Sequence, residues 1–578
     1  MCRMFFPGMG NFFPDSDRLK PLALRFVALF TLAVAFSGPA AEAQKPAALK
    51  KYWIELADKN NSPYCTCRPW EFLSARTLER RALAGIPVEE NDLPVNPAYL
   101  QALRQKGAVI HNTSRWLNAA TVIADSATAA SLRDLPFVQK VKYLGPHIRI
   151  RNAPDRMPKK RVPLAEVPQI KGKFGSWGYA GRQNSLLGLN LLHAAGYRGR
   201  DIWVAVMDGG FTNADTIALF DSVALDRRLM QGHDFVERDG AVFESAAHGS
   251  SVLGVMAGNI PGWFIGGAPD ATYFLLKTED TGGEYPVEEA NWIAGVEWAD
   301  SMGIDLVNAS LGYTQFNDTT LGHWYRELDG RTAIGSRGAA IAATKGLIIC
   351  NSAGNEGDGP WHYIGAPADA PGIVAVGAVD MDGKHAVFSS FGPTADGRLK
   401  PDLSAPGAPV VSTAGHDAEL DLAFGTSLAS PMLCGAFAAL WSACPDKTAE
   451  EVMNAVFASA DQYDRPDNAK GYGIPDFDRA WLQLGGFVSR AAVNDSREGF
   501  FSSEANRLQF LVFAPVDHIC ALQLHDGLGQ PVPVQLLDFK QYKISTLSVL
   551  APVTMPPGPC RLTVVTDTGC LQLWALVF

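Results

Sequence analysis

The sequence predicts an α/β protein: a mainly parallel sheet between two helix layers, with a small α+β unit before it and a β-sandwich after it. Three observations carry this. Between residues 186 and 484, strands apolar along their whole length alternate with helix patterns, as in a parallel sheet covered on both faces. Residues 49–150 hold short strand and helix patterns of their own. After residue 485 helical periodicity fades, and β-like runs such as residues 508–513 alternate with turns such as Asp526-Gly527. The 578 residues suit three or four units at roughly 100–200 residues each.

The elements follow in order. Residues 1–43 read as a secretory signal. Arg18, Lys20 and Arg25 lead into the apolar stretch 22–36, and Ala41-Glu42-Ala43 supplies the small residues of a cleavage site. The stretch is short for a membrane span of ~20 residues. In the next unit, 52–56 is a strand, 69–84 a helix, and Asn96-Pro97 opens a second helix. Residues 116–123 and 138–143 are further strands. Residues 151–185, rich in Pro, Lys, Arg and Gly, read as a linker, with Lys159-Lys160-Arg161 as a candidate cut. In the central unit, 202–207, 271–276, 304–311 and 347–352 are strands. Residues 287–302 form a helix, with Glu288, Glu289, Glu297 and Asp300 expected on its solvent face, and a further helix ends at 339–345. The pairs Asp215/Asp221 and Asp300/Asp305 likewise read as solvated faces.

Composition narrows the function. With 47% hydrophobic and 19% charged residues, the chain is an ordinary globular one. A net charge of −10 argues against a nucleic-acid partner. Eight cysteines follow the signal. Cys65 and Cys67 stand too close to bond to each other without strain, and Cys350 and Cys434 sit in apolar runs as buried thiols. No CxxC or HxxxH pairing suggests zinc, and no metal ligand is assigned.

Four strings carry chemistry. Asp208 ends an apolar strand before Gly209-Gly210, at the mouth of a parallel sheet where sites gather. His248 opens a helix whose Val252, Val255 and Met256 run inward. Ser427, in Gly425-Thr-Ser-Leu-Ala-Ser-Pro431, stands at a helix start, because proline belongs in a first turn. Asn355 follows a strand end, where a side-chain amide can donate to a developing oxyanion. Alone, each has a plain structural reading: a turn, a surface histidine, an N-cap, a turn amide. Together they occur in the order Asp, His, Asn, Ser.

Here the chain resembles the subtilisin-like (subtilase) family of serine peptidases. The resemblance rests on residues 204–210, 248–252, 308–312, 352–355, 388–393, 400–407 and 425–431. It implies a subtilisin-like three-layer sandwich and a serine endopeptidase that acts on proteins or peptides through an acyl-enzyme, with no required cofactor. Ser427 would be the nucleophile, His248 its base and Asp208 the residue that orients His248. Asn355 and the Ser427 N–H would form the oxyanion hole. Ser310, Leu311 and Gly312 would pair with substrate backbone, opposite Gly282, Gly283 and Glu284. A structural calcium ion stays open, with no ligands assigned. Gly209 departs from the family, where Ser or Thr is frequent. Residues 49–150 resemble the propeptide of Bacteroidetes-type subtilases, an intramolecular inhibitor that makes the chain a zymogen. Residues 485–578 resemble the sorting domain of the type IX secretion system, which implies a secretion-machinery partner. A plain structural β-domain is the alternative.

Overall fold

The computed structural model describes residues 48–147 and 177–485, apart from 414 and 416–418, and beyond them the strands of two further sheets. The signal segment and the candidate cut at 159–161 lie outside the described residues.

The first unit is a four-stranded antiparallel sheet in the order β2-β3-β1-β4. Its strands are β1 (Lys50–Leu56), β2 (Val109–Ser114), β3 (Ala119–Ala124) and β4 (Val138–Pro146). Alternation along β1 decides what each face meets. Ile54 joins Leu103, Val122 and Leu132 in the unit's own core. Trp53 points the other way, into an apolar cluster with Trp116, Trp292 and Ile293. One face of this sheet is therefore built to be covered by the helix Val287–Met302.

Local chemistry trims the expected elements. The helix expected over 69–84 breaks into a 3-10 turn Pro69–Glu71 and an α-helix Ala75–Leu83. Ser74 causes the break: it is extended, and its side chain accepts from the Thr77 N–H as an N-cap. Strand β3 starts three residues later than expected because Asn118 takes a left-handed φ of 45°. Cys65 and Cys67, expected apart, form a disulfide. Cys350 and Cys434 are buried free thiols, as expected.

The central sheet has seven strands. To the first four strands the chain adds β5 (Trp203–Asp208) and β6 (Leu229–Asp234), the short hairpin β7 (Asn259–Ile260) and β8 (Phe264–Ile265), then β9 (Thr272–Lys277). After these come β10 (Leu306–Ala309), β11 (Ile348–Ser352), β12 (Val374–Asp380) and β13 (Leu403–Ala408). The order is β13-β12-β11-β10-β5-β9-β6, and every described pairing is parallel. The helices His248–Ala257 and Thr426–Ala443 bury one face, and Val287–Met302 and Ile334–Ala342 the other. This is the expected three-layer arrangement. Within the segment read as a linker, Trp177 is buried and a helix, Gly181–Leu186, begins. Beyond 485 the strands form two antiparallel sheets, of three and four strands.

One expectation fails. Glu288, Glu289, Glu297 and Asp300 are buried, not on a solvent face, and so is Asp305. The first unit covers Glu297, Asp300 and Asp305, while Glu289 is held by His323 (2.8 Å) and the Gly335 N–H (2.7 Å) and Glu288 by the N–H groups of Asp280 (2.9 Å) and Tyr285 (3.0 Å). Glu297 accepts from Ser114 Oγ (2.6 Å) and from the N–H groups of Arg115 (2.7 Å) and Trp116 (3.1 Å). Asp300 pairs with Arg80 (2.7 Å), Arg81 (2.7 Å) and Arg115 (2.5 Å), and Arg76 pairs with Asp305. Glu297 and Asp300 on the helix are sockets for a neighbouring unit.

The same contact holds a pH-sensitive group. His111 of β2 is buried, and its Nε2 has no hydrogen-bond partner. Burial, with Lys51, Arg238 and His147 nearby, pushes it down from 6.5 to about 3. The folded state therefore prefers neutral His111. Its contribution is complete above pH 6.5 and falls between 6.5 and 3, by at most about 1.4 kcal/mol per pH unit. In thermal unfolding of the full chain, acidification from pH 7 to 5 is expected to lower Tm less in His111→Gln than in wild type. Parallel curves would remove His111 from the pH response.

Candidate active site

The site grows from three parallel strand ends. β5 ends at Asp208, β10 at Ala309 and β11 at Ser352, and the β10–β5 register sets Ala309 beside Met207. Side chains that leave these ends meet above the sheet, in a cleft of 650 Å³ lined by Asp208, His248, Ser310, Gly312, Asn355 and Ser427.

Asp208 is buried. Its Oδ1 accepts from the Gly209 N–H (2.8 Å), and its Oδ2 lies 2.8 Å from His248 Nδ1. A carboxylate here can only accept, so Nδ1 carries the hydrogen and Nε2 is the basic nitrogen. His248 is the first residue of its helix. The next residue must be glycine, because a Cβ on Gly249 would stand 2.2 Å from the Gly210 carbonyl oxygen. That close approach seats the helix start against the end of β5.

Ser427 is the second residue of the helix Thr426–Ala443. Proline was expected in the first turn, yet Pro431 lies inside this helix, where it has no N–H for the Ser427 carbonyl. Ser310 takes that place: its Oγ donates to the Ser427 carbonyl oxygen (2.7 Å). Asn308 completes the clamp, donating to Ser310 Oγ (3.1 Å) and accepting from Ser430 Oγ (2.8 Å). A buried polar clamp thus fixes the serine helix to β10. An asparagine inside an otherwise apolar strand was the one sequence signal for it.

Asn355 is oriented by its acceptor end. Its Oδ1 accepts from the Thr426 N–H (2.8 Å) and Oγ1 (3.0 Å), which turns Nδ2 the other way. Gly425 shows where Nδ2 points: a Cβ there would lie 2.8 Å from Ser427 Oγ and 3.6 Å from Asn355 Nδ2. The hydroxyl and the amide therefore flank one small space, kept open by a residue without a side chain.

Ser310, Leu311 and Gly312 line the cleft, and so do Gly283 and Glu284. Gly282 does not line it; its N–H bonds to Asp280 Oδ1 (3.1 Å). The sequence reading missed Glu279 and Glu288, which also line the cleft. Glu279 is pushed well above the usual carboxylate range by burial and by Glu284 beside it. Among the described residues, two acidic groups hold carboxylate oxygens within 4.8 Å of one another: Asp234, Glu237 and Asp239 in one, Glu279, Glu284 and Glu288 in the other. In the first, Asp234 is fully buried and its Oδ2 has no hydrogen-bond partner.

A strand-end carboxylate on a histidine, with a helix-start serine and an amide in the same cleft, is an arrangement that serine hydrolases use. Comparison with known proteins agrees. The Subtilase family model (Peptidase S8) matches residues 199–473. The model of the peptidase S8 propeptide domain of Bacteroidota matches residues 51–160. Subtilisin DY of Bacillus licheniformis is 30% identical over 278 residues, 48% of this chain and 89% of its own length. Subtilisin of Bacillus pumilus is 31% identical, over 46% of this chain and 87% of its own. Subtilisin E of Bacillus subtilis is 28% identical, over 62% and 79%. The chain belongs to the subtilase family, and it carries the propeptide domain of a zymogen.

Proposed function

We propose that this protein is an exported peptidase that cuts proteins with Ser427 as nucleophile, His248 as general base and acid, and Asp208 as the residue that orients His248. The observation that carries it is the 2.8 Å contact of Asp208 Oδ2 with His248 Nδ1, in the cleft that also holds Ser427. His248 Nε2 takes the hydroxyl proton as Oγ bonds to the scissile carbonyl carbon. The carbonyl oxygen becomes an oxyanion, met by Asn355 Nδ2 and the Ser427 N–H. His248 returns the proton to the leaving amine, and the C–N bond breaks. Water then repeats the cycle on the acyl-enzyme, releasing the acid and restoring Ser427.

The propeptide domain acts as an intramolecular inhibitor, supported by its buried contacts with the helix Val287–Met302. The signal pattern at 1–43 supports export. A structural divalent cation such as calcium fits Asp234, Glu237 and Asp239, where the buried Asp234 Oδ2 has no hydrogen-bond partner.

The test is casein digestion by the purified protein with covalent labelling by a fluorophosphonate. Label on Ser427, with matching loss of digestion, is expected; label elsewhere would overturn the assignment. For Asn355→Ala, kcat is expected to fall about 10²–10³-fold with KM nearly unchanged, because the amide acts only on the developing charge. A change confined to KM would exclude that role.

A further inference from the structure

The cleft beside Asp208, His248 and Ser427 is strongly acidic. Its described lining holds seven carboxylates and no lysine or arginine. Three of them, Glu279, Glu284 and Glu288, crowd within 4.8 Å. Glu279 accepts from Tyr313 Oη (2.6 Å), and Glu288 from the N–H groups of Asp280 (2.9 Å) and Tyr285 (3.0 Å). These bonds fix the carboxylates without neutralising them. Burial and mutual repulsion hold Glu279 and Glu288 well above the usual carboxylate range. Like charges so close ionise together only with a cation among them. An ammonium or guanidinium entering the cleft would supply it, and partial exclusion of water would strengthen the attraction.

We propose that Glu279, Glu284 and Glu288 make this peptidase select lysine or arginine on the N-terminal side of the scissile bond. The proposal rests on the serine-peptidase reading above. It follows that cleavage depends on charge as well as on backbone pairing, and that added salt weakens the preference.

The test uses the mature enzyme and paired fluorogenic peptides carrying lysine or norleucine two, three or four residues before the cut. At one position, lysine is expected to raise kcat/KM at least about tenfold over norleucine at low salt, and less at 0.5 M salt. Glu279→Gln and Glu284→Gln should each reduce that ratio to about threefold or less. Glu284→Gln, at the exposed member, serves if Glu279→Gln does not fold. Equal cleavage of the two peptides by wild type overturns the proposal alone, as does a ratio unchanged in both variants. A lysine preference seen only after chelation by EDTA assigns the three carboxylates to a metal ion and also overturns it. Failure to cut either peptide overturns the peptidase reading and the proposal with it.

Discussion

Ser427→Ala is expected to lower kcat/KM on a protein substrate by about six orders of magnitude and to leave the propeptide attached. The size follows from the arrangement. Asp208 holds the His248 tautomer, and Asn355 Nδ2 faces the space beside Ser427 Oγ. These groups act on one hydroxyl, so removing it leaves them nothing to work on. Loss of the nucleophile in a triad costs about 10⁶ in kcat, and the remainder comes from binding and the oxyanion donors. Folding should be spared, because the fold holds this residue by its carbonyl, through Ser310 Oγ, and alanine keeps that carbonyl. Casein digestion, gel mass and thermal unfolding of the two proteins side by side check all three statements. Equal digestion would sink the mechanism. A purified variant already lacking its propeptide would show that another protease does the maturation.

Asp300→Ala is expected to be the most disruptive change in the propeptide contact. Asp300 is completely buried and faces Arg80, Arg81 and Arg115 at once. Arg81 also pairs with Asp92 (2.8 Å), which meets Lys345 (3.3 Å). Removing the central carboxylate leaves buried guanidinium charge only partly compensated, and broken buried pairs cost about 3–5 kcal/mol. In the full-length Ser427→Ala chain, Asp300→Ala should speed hydrogen exchange in Ala75–Leu83 by about a hundredfold or more, with the central sheet protected as before. Unchanged exchange would mean that the apolar contact of Trp53 and Trp116 holds the unit by itself.

Much of this was legible because some residue patterns have few structural solutions. Apolar runs such as 202–207 cannot face water on either side, so the covered parallel sheet followed. Asn96-Pro97 opened a helix as its chemistry requires. Asp208, His248, Asn355 and Ser427 were singled out by strand ends, helix starts, chain order and the resemblance to the subtilase family, and the structure brings all four to one cleft.

What stayed illegible depends on partners distant in sequence. Asp300 and Glu297 look like solvent residues on a helix, because the arginines and N–H groups that bury them come from about 180 to 220 residues earlier. Pro431 looks like a helix start, because the Ser310 hydroxyl that compensates for its missing N–H lies on another strand. Glu279 lies in a loop and Glu288, nine residues on, in a helix, and only the fold makes them neighbours.

The sequence by itself determined the layer architecture, since periodicity, caps and turns are local properties that each segment carries with it, and it offered the candidate catalytic residues through their chain order and their resemblance to one family. Tertiary structure alone decided the charge in the cleft, the clamp on the serine helix and the sockets for the propeptide. The energies of ions and buried polar groups depend on what covers them, and the covering residues arrive from elsewhere in the chain.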